Sequence, residues 1–277
     1  MRVWIASLFL LGTGCAMTQP ITKWWAPIEK EHHLKIIRES LSRPSDQFSL
    51  HLIPVENGYV LKGHRLSLHD TYFLATMDGI TGAVDILYEF ENLPDGTLKI
   101  KTAQGAPRYA ATLPHIEHEK VLVGKPIDYV LVRKKDVTSA VATFFPYRLQ
   151  TEGQHGESLF LTVTHPMLTR FALEAKGFEP GEAVLLTHRS GDKKETKTLT
   201  ADAQGEIATP LNPTLLGKLG GQATLTLTGM KGSVQIEYPW GGQLENQTFK
   251  KYRAFPMVFV TRLPQTSETH SYALSLL

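Results

Sequence analysis

The feature that most constrains the fold of this 277-residue chain is an alternation of apolar and polar residues with a period of two. It is clearest in four segments between residues 158 and 238, SLFLTVT, RFALEA, ATLTLT and SVQIEY. In the first of them Leu159, Leu161 and Val163 lie two residues apart, so an extended strand turns these three side chains to one face. The alternation therefore predicts half-buried β-strands.

Short turns separate these segments from weaker strand-like runs at 183–188, 195–200 and around Ile207. Seven short strands at this spacing, over residues 154–242, are typical of an immunoglobulin-like sandwich. The stretch GFEPGEAVLLTHRSGDKKETKTLTADAQGEI also resembles Ig-like modules of bacterial surface proteins, in which a GFxPGE turn opens one strand and a D..G turn closes a hairpin. This resemblance implies a fold and says little about function.

A first β module is predicted over residues 46–153, because the same alternation begins at Phe48 and recurs between Val84 and Phe90. The turn NLPDG then leads into a further alternating run, which predicts a hairpin. Before this module, PIEKEHHLKIIRESL has apolar residues at helical spacing, and we expect one amphipathic helix over residues 27–43. Residues 243–277 are expected to contain a C-terminal strand and a tail.

The fold class predicted from these patterns is all-β. It consists of two β-sandwich-like modules in series, the second Ig-like, preceded by a short N-terminal helix.

The N-terminus reads MRVWIASLFLLGTGCAM, with one basic residue, an apolar run and then small residues before Cys15. This order predicts a signal peptide over residues 1–14, followed by a polar tether over 15–26. The motif GTGC resembles the lipobox of bacterial lipoproteins, although Leu11 stands four residues before the cysteine where the family usually has Leu three before it. The resemblance implies that Cys15 is acylated and anchors the chain in a membrane. Cleavage after Ala16, which would discard the cysteine, is the alternative.

Composition limits the partners of the chain. Cys15 is the only cysteine, so no intrachain disulfide is expected. The chain has 29 basic and 27 acidic side chains, and this near-balance gives no support for nucleic acid as a partner. No cofactor is indicated.

Two histidine pairs are weak candidates for a metal site. HIEHE places His115 and His118 three residues apart, and HRLSLHD contains His64 and His69. A metal site needs such ligands to converge on one ion, whereas two strand residues three apart point to opposite faces. Surface histidines are the preferred interpretation, and no metal is predicted.

No catalytic motif is present, because the sequence lacks a G-x-S-x-G elbow, a G-x-x-x-x-G-K-[ST] loop and a G-x-G-x-x-G turn after a strand. We therefore expect a protein that binds and is not an enzyme. YPWGG places Tyr238 and Trp240 at the end of the last sandwich strand, where an exposed ring could contact a partner and a buried one would close the module. The turn at 177–182 is the other candidate contact.

These observations together predict a lipid-anchored cell-envelope protein that binds or spaces other components through its loops or free strand edges. Its partners are expected to be the membrane, through the anchor, and a protein or polysaccharide of the envelope. Ala16 after the cysteine resembles lipoproteins that reach the outer membrane of Gram-negative bacteria. The alternatives are an envelope enzyme, or a carrier of a metal or small ligand, with a site built from dispersed histidines and carboxylates.

Overall fold

A computed structural model of the chain describes residues 27–55, 58–102, 106–116, 122–251 and 257–261. The expected signal peptide, the tether with Cys15, and His118 lie outside these residues. The N-terminal part contains α1 (Pro27–Ser40), β1 (Ser49–Val55), β2 (Gly58–His64), β3 (Thr71–Asp78), β4 (Val84–Asn92), β5 (Leu98–Ile100), β6 (Arg108–Ala110), β7 (Thr112–Ile116), β8 (Ile127–Arg133) and β9 (Thr138–Phe144).

The remaining elements follow residue 148. They are β10 (Leu149–Glu152), β11 (Ser158–Val163), β12 (Phe171–Lys176), β13 (Ala183–Ser190), β14 (Lys193–Thr200), β15 (Ile207–Leu211), β16 (Gly220–Thr228), β17 (Ser233–Gly241), α2 (Gly242–Lys251) and β18 (Met257–Val260). The all-β fold class is confirmed, and so is the short helix that precedes the first strand.

The first module packs a six-stranded sheet, in the order β6-β5-β4-β3-β8-β9, against a four-stranded sheet, in the order β1-β2-β18-β7. Aromatic and aliphatic side chains from both sheets fill the space between them, among them Phe48, Tyr72, Phe90 and Phe259. The other face of the six-stranded sheet is covered by α1, whose Ile37 packs against Phe73 and its neighbours. Two apolar faces are thereby buried on one sheet.

The second module consists of two four-stranded antiparallel sheets, in the orders β10-β11-β12-β15 and β14-β13-β16-β17. The alternating residues that were predicted to point inward, such as Leu159, Leu173 and Leu225, form one core between the sheets. Two sheets that bury their alternate residues against each other make a β-sandwich. The predicted sandwich is therefore confirmed.

Strand β10 is a correction to the predicted arrangement. Its residues, 149–152, fall within the range assigned to the first module, but they pair with β11 in the second, with Leu149 opposite Leu161. The four residues LQTE alternate over too short a stretch to predict which sheet the strand joins. The hairpin turn at 153–157 instead pairs β10 with β11. The second module therefore begins at Leu149 and not at residue 154.

The C-terminal part also differs from the expected strand and tail, because a helix, α2, follows β17 directly. Leu244 on α2 is buried against the second core. Strand β18 then enters the first module, where it pairs in parallel with β2 and antiparallel with β7. The first module is thus completed by residues that follow the second module in the chain. Within the described residues, neither helix is long and apolar enough to cross a membrane.

The second module has two ends, which differ in their surroundings. The end that carries loops 164–170, 191–192 and 212–219 adjoins the first module, because the Val163 N–H donates to the Gly124 carbonyl at 2.8 Å. We call it the proximal end. The opposite, distal end carries loops 153–157, 177–182, 201–206 and 229–232.

Candidate functional site

A cleft of about 520 Å³ opens between the two sheets of the second module, on the side where β14 and β15 are the edge strands. Its floor is buried and consists of Phe171, Leu186, His188 and Leu211. Its rim is formed by Thr164, His165, Arg170, Glu195, Pro210 and Asn212. The volume falls within the range of small-molecule sites.

Strand register explains why these residues meet. On β13 the inward positions are Val184, Leu186, His188 and Ser190, which follow one another with a period of two. His188 therefore occupies a core position, and it lies directly opposite Glu195 on β14. A histidine at an inward position of a strand was the sequence signal for this site, and sequence analysis did not single it out.

His188 is held by Tyr238. Its Nε2 lies 2.8 Å from the Tyr238 hydroxyl oxygen, and burial lowers the pKa of the imidazole, although Glu195 opposes this shift. Burial also raises the pKa of Tyr238, so the phenol stays protonated at neutral pH. Among the residues that the structure describes, Nδ1 of His188 has no hydrogen-bond partner. A neutral ring with one engaged nitrogen leaves Nδ1 for a ligand.

The rim supplies both donors and acceptors. The Met167 N–H donates to Nδ1 of His165 at 3.2 Å, and the Thr169 hydroxyl lies 3.1 Å from the same atom. In the neutral ring the proton is therefore on Nε2, which makes that atom a donor. Arg170 and Glu195 carry one positive and one negative charge, so the formal charges of the rim cancel.

Tyr238 and Trp240, the aromatic residues predicted to contact a partner, are both fully buried. The Trp240 Nε1–H donates to the Ser190 hydroxyl at 3.1 Å, and Phe171 packs edge-on against Tyr238 with the ring centroids 5.0 Å apart. A ring enclosed in the core presents no surface to a partner. The expected binding role is therefore corrected to the packing role that the sequence also allowed.

The turn at 177–182 is tied together internally. The Glu182 carboxylate accepts hydrogen bonds from the backbone N–H groups of Glu179 and Met230, and these bonds lower its pKa. The Glu182 side chain thus joins two loops of the distal end, and contact of this turn with a partner stays a prediction.

Of the four histidines considered as metal ligands, the structure describes the side chains of His64 and His69, and these two have different neighbours. Nδ1 of His69 lies 3.2 Å from the Glu91 carboxylate, whereas the His64 ring faces His51 at 6.3 Å. His115 lies on β7. In the described part of the chain, no three histidine, cysteine, aspartate or glutamate side chains form a group suited to a metal ion.

On the side of the cleft, the two edge strands of the second module, β14 and β15, are protected against the addition of another strand. β14 has the sequence KKETKTLT and exposes three lysines, and β15 contains Pro210, which lacks an N–H group. Charged residues and proline on an edge strand disfavour pairing with a further chain. The cleft is therefore a better binding site than either edge.

No family model matches the chain, and no curated protein matches it. One similar solved structure is the crystal structure of a tetra-tandem repeat in the extending region of a large adhesion protein, with 12% identity and a TM-score of 0.24. The match covers 70% of this chain and 48% of that chain, so it spans about half the length of the other protein. A match at this level says nothing about what either protein binds.

Proposed function

We propose that the chain is a lipid-anchored binding module of the bacterial cell envelope, and that its cleft binds a small, neutral, hydroxyl-rich ligand such as a saccharide unit. The observation that carries the proposal is the one polar side chain in the floor of the cleft, His188, which is buried and hydrogen bonded to the Tyr238 hydroxyl at 2.8 Å. Because Nε2 is engaged by Tyr238 and the ring lines the cleft, Nδ1 is left for a ligand.

The side chains around the cleft favour a neutral ligand with several hydroxyl groups. Thr164 offers a donor and an acceptor, Arg170 donates and Glu195 accepts. The Asn212 amide supplies donors, because its oxygen already accepts from the N–H and the hydroxyl of Thr214. A sugar hydroxyl also donates and accepts, so it can match such a set. The buried apolar residues of the floor suit the C–H faces of a sugar ring. Because Arg170 and Glu195 cancel, the cleft has no excess charge to attract an ion.

Binding is favoured over catalysis by the composition of the cleft. Glu195 is the one carboxylate among the described residues that line it, whereas glycoside hydrolysis normally uses two. His188 is hydrogen bonded to Tyr238, and no serine or cysteine of the described residues is among its hydrogen-bond partners. The arrangement lacks the paired groups of an acid–base or nucleophilic mechanism.

The ligand is tested by titrating the purified protein with neutral di- and trisaccharides of glucose, galactose and N-acetylglucosamine, followed by NMR chemical shifts. Thr164→Trp fills the rim of the cleft from an exposed position. Thr228→Trp is the matched control, because Thr228 is exposed on the distal end of the same module.

We expect one of these saccharides to bind the native protein and the Thr228→Trp variant, and to bind Thr164→Trp at least tenfold more weakly. Equal binding by both variants would place the ligand outside the cleft. Failure of every saccharide to bind the native protein would reject this ligand class.

The anchor is tested separately in a bacterial host. The native chain is expected to incorporate labelled fatty acid and to partition into detergent, because Cys15 follows the motif GTG. Cys15→Ser removes the acylated thiol and should abolish both properties. Incorporation that persists in Cys15→Ser rules out the lipid anchor without affecting the proposal for the cleft.

A further inference from the structure

Three apolar side chains project from two loops at the proximal end of the second module. The exposed fractions are 104% for Leu216, 89% for Leu219 and 66% for Met167. We call these residues the apolar tips. Single exposed apolar residues are common on soluble proteins, but leucines exposed to this extent, two of them within four residues, need an explanation.

The backbone fixes the two loops to a common support. The Gly241 N–H donates to the Leu168 carbonyl at 2.8 Å, and the Gly242 N–H donates to the Leu219 carbonyl at 3.0 Å. Gly241 has a φ of 59°, and a Cβ at this position would lie 2.2 Å from the Leu219 carbonyl oxygen. Glycine is therefore required for this close approach. These backbone contacts therefore hold in place the two loops that carry the apolar tips.

The charges of the two ends of the module are opposite in sign. The three proximal loops, with two flanking strand residues on each side, have one acidic side chain, Asp192, against five basic ones, Arg170, Arg189, Lys193, Lys194 and Lys218. The first turn of α2 adds Glu245. The four distal loops, counted in the same way, have six acidic and two basic side chains. The apolar tips therefore lie at the basic end.

We propose that the proximal end of the second module binds the surface of an anionic lipid bilayer, with Leu216, Leu219 and Met167 inserted at the level of the headgroups. Apolar side chains flanked by lysine and arginine are the combination that peripheral membrane segments use, because burial of the apolar groups and attraction to anionic lipids act together. The contact rests on residues far from Cys15 in the sequence and is independent of an acyl chain.

A membrane explains these features better than a protein partner does. The tips are separate, exposed side chains on two loops, and none of them is among the residues that line the cleft of this module. The basic side chains are spread over the three proximal loops and their flanking residues, which matches a surface of distributed negative charge. The distal end, which is acidic, would be repelled by the same surface.

The experiment measures cosedimentation with lipid vesicles, using the chain from residue 15 with Cys15→Ser so that no acyl chain is attached. Vesicles of phosphatidylcholine alone are compared with vesicles that also contain phosphatidylglycerol. The test variant combines Leu216→Ser with Leu219→Ser. The control is Met230→Ser, because Met230 is 73% exposed on the distal end of the same module.

We expect the parent chain and Met230→Ser to bind phosphatidylglycerol vesicles, and the double variant to bind them at least tenfold more weakly. A charge variant, Lys193→Glu with Lys194→Glu, should also weaken binding. Equal binding by the double variant and the control would overturn the proposal, and so would equal binding to both kinds of vesicle. Thermal unfolding of each variant should match that of the parent chain, because every substituted side chain is exposed.

A second measurement reports insertion directly. With Leu216→Trp, the indole emission should shift to the blue when phosphatidylglycerol vesicles are added, and with Met230→Trp it should not shift. No shift in either variant would reject insertion. Cross-linking of Leu216 to a protein in native envelopes, together with absence of vesicle binding, would assign the surface to a protein partner and overturn the membrane contact.

Discussion

The ring of His188 lies parallel to that of Tyr238, with an interplanar angle of 8° and a centroid distance of 6.1 Å, and Nε2 is hydrogen bonded to the phenol at 2.8 Å. The two residues are on β13 and β17, which belong to one sheet but are separated by β16. His188 is the polar residue of the cleft floor and Tyr238 lies behind it in the core, so the pair links the stability of the second core to the proposed binding site.

Tyr238→Phe removes the phenol oxygen and leaves the ring in place. A net loss of about 1 kcal/mol in the free energy of unfolding is expected, because a buried hydrogen bond is lost while packing is retained. Urea denaturation measures this change. Tyr109→Phe is the control, since Tyr109 is 58% exposed on β6, and it should leave the free energy of unfolding unchanged. An unaltered stability in Tyr238→Phe would show that the hydrogen bond contributes nothing.

Trp240→Ala is expected to act on stability and not on binding. The indole is fully buried and donates to Ser190, so its removal should lower the free energy of unfolding by about 3–5 kcal/mol. Trp240→Phe should cost less, because part of the ring volume is kept. Chemical denaturation gives both values. A variant that unfolds like the native protein, but has lost its ligand, would restore the binding role first expected for Trp240.

His33 is expected to make the docking of α1 sensitive to acid. The ring packs on Phe73 with the centroids 4.6 Å apart, and its buried Nδ1 has no hydrogen-bond partner among the described atoms. Burial lowers the pKa of His33 below its ordinary value of 6.5, although nearby Glu89 opposes this and Lys134 reinforces it. The folded state therefore resists a proton that the unfolded state takes up as the pH falls below 6.5.

The stability that the neutral His33 ring contributes near pH 7 is therefore expected to be lost as the pH falls below 6.5. His33→Phe cannot be protonated and keeps the contact with Phe73. We expect it to be at least as stable as the native chain near pH 7, and to lose less stability between about pH 7 and about pH 5. Urea denaturation at both pH values, with circular dichroism of the helix, measures the difference. An identical pH dependence in the two proteins would remove His33 as the source.

Phe259→Ala should destabilise the first module although the residue lies near the C-terminus. Phe259 on β18 is fully buried, and its ring lies 5.2 Å from that of Phe90 on the opposing sheet. The loss is expected to be about 3–5 kcal/mol, because a large cavity remains between the sheets. Proteolysis followed by mass spectrometry should show cleavage within the first module first. Preferential cleavage within the second module would contradict the assignment of β18.

The local sequence pattern determined many of the secondary-structure elements of this protein. Alternation with a period of two predicted the strands β11, β12, β13, β16 and β17, because each of them buries one face and the side chains of a strand alternate. The spacing of Leu34, Ile37 and Leu41 predicted α1. The helix ends at Ser40, whose carbonyl accepts a hydrogen bond from the Ser139 hydroxyl at 2.8 Å. In these cases the information lies within about ten residues of the chain.

Tertiary structure alone decided the rest. The partners of β10 and β18 depend on pairing with distant strands, and a strand of four residues does not specify its neighbour. The same holds for the cleft, where His188, Glu195 and Arg170 meet only because two sheets pack face to face. Sequence alone also could not tell whether Trp240 lies inside or outside, since indoles occur in both places and only packing buries the ring.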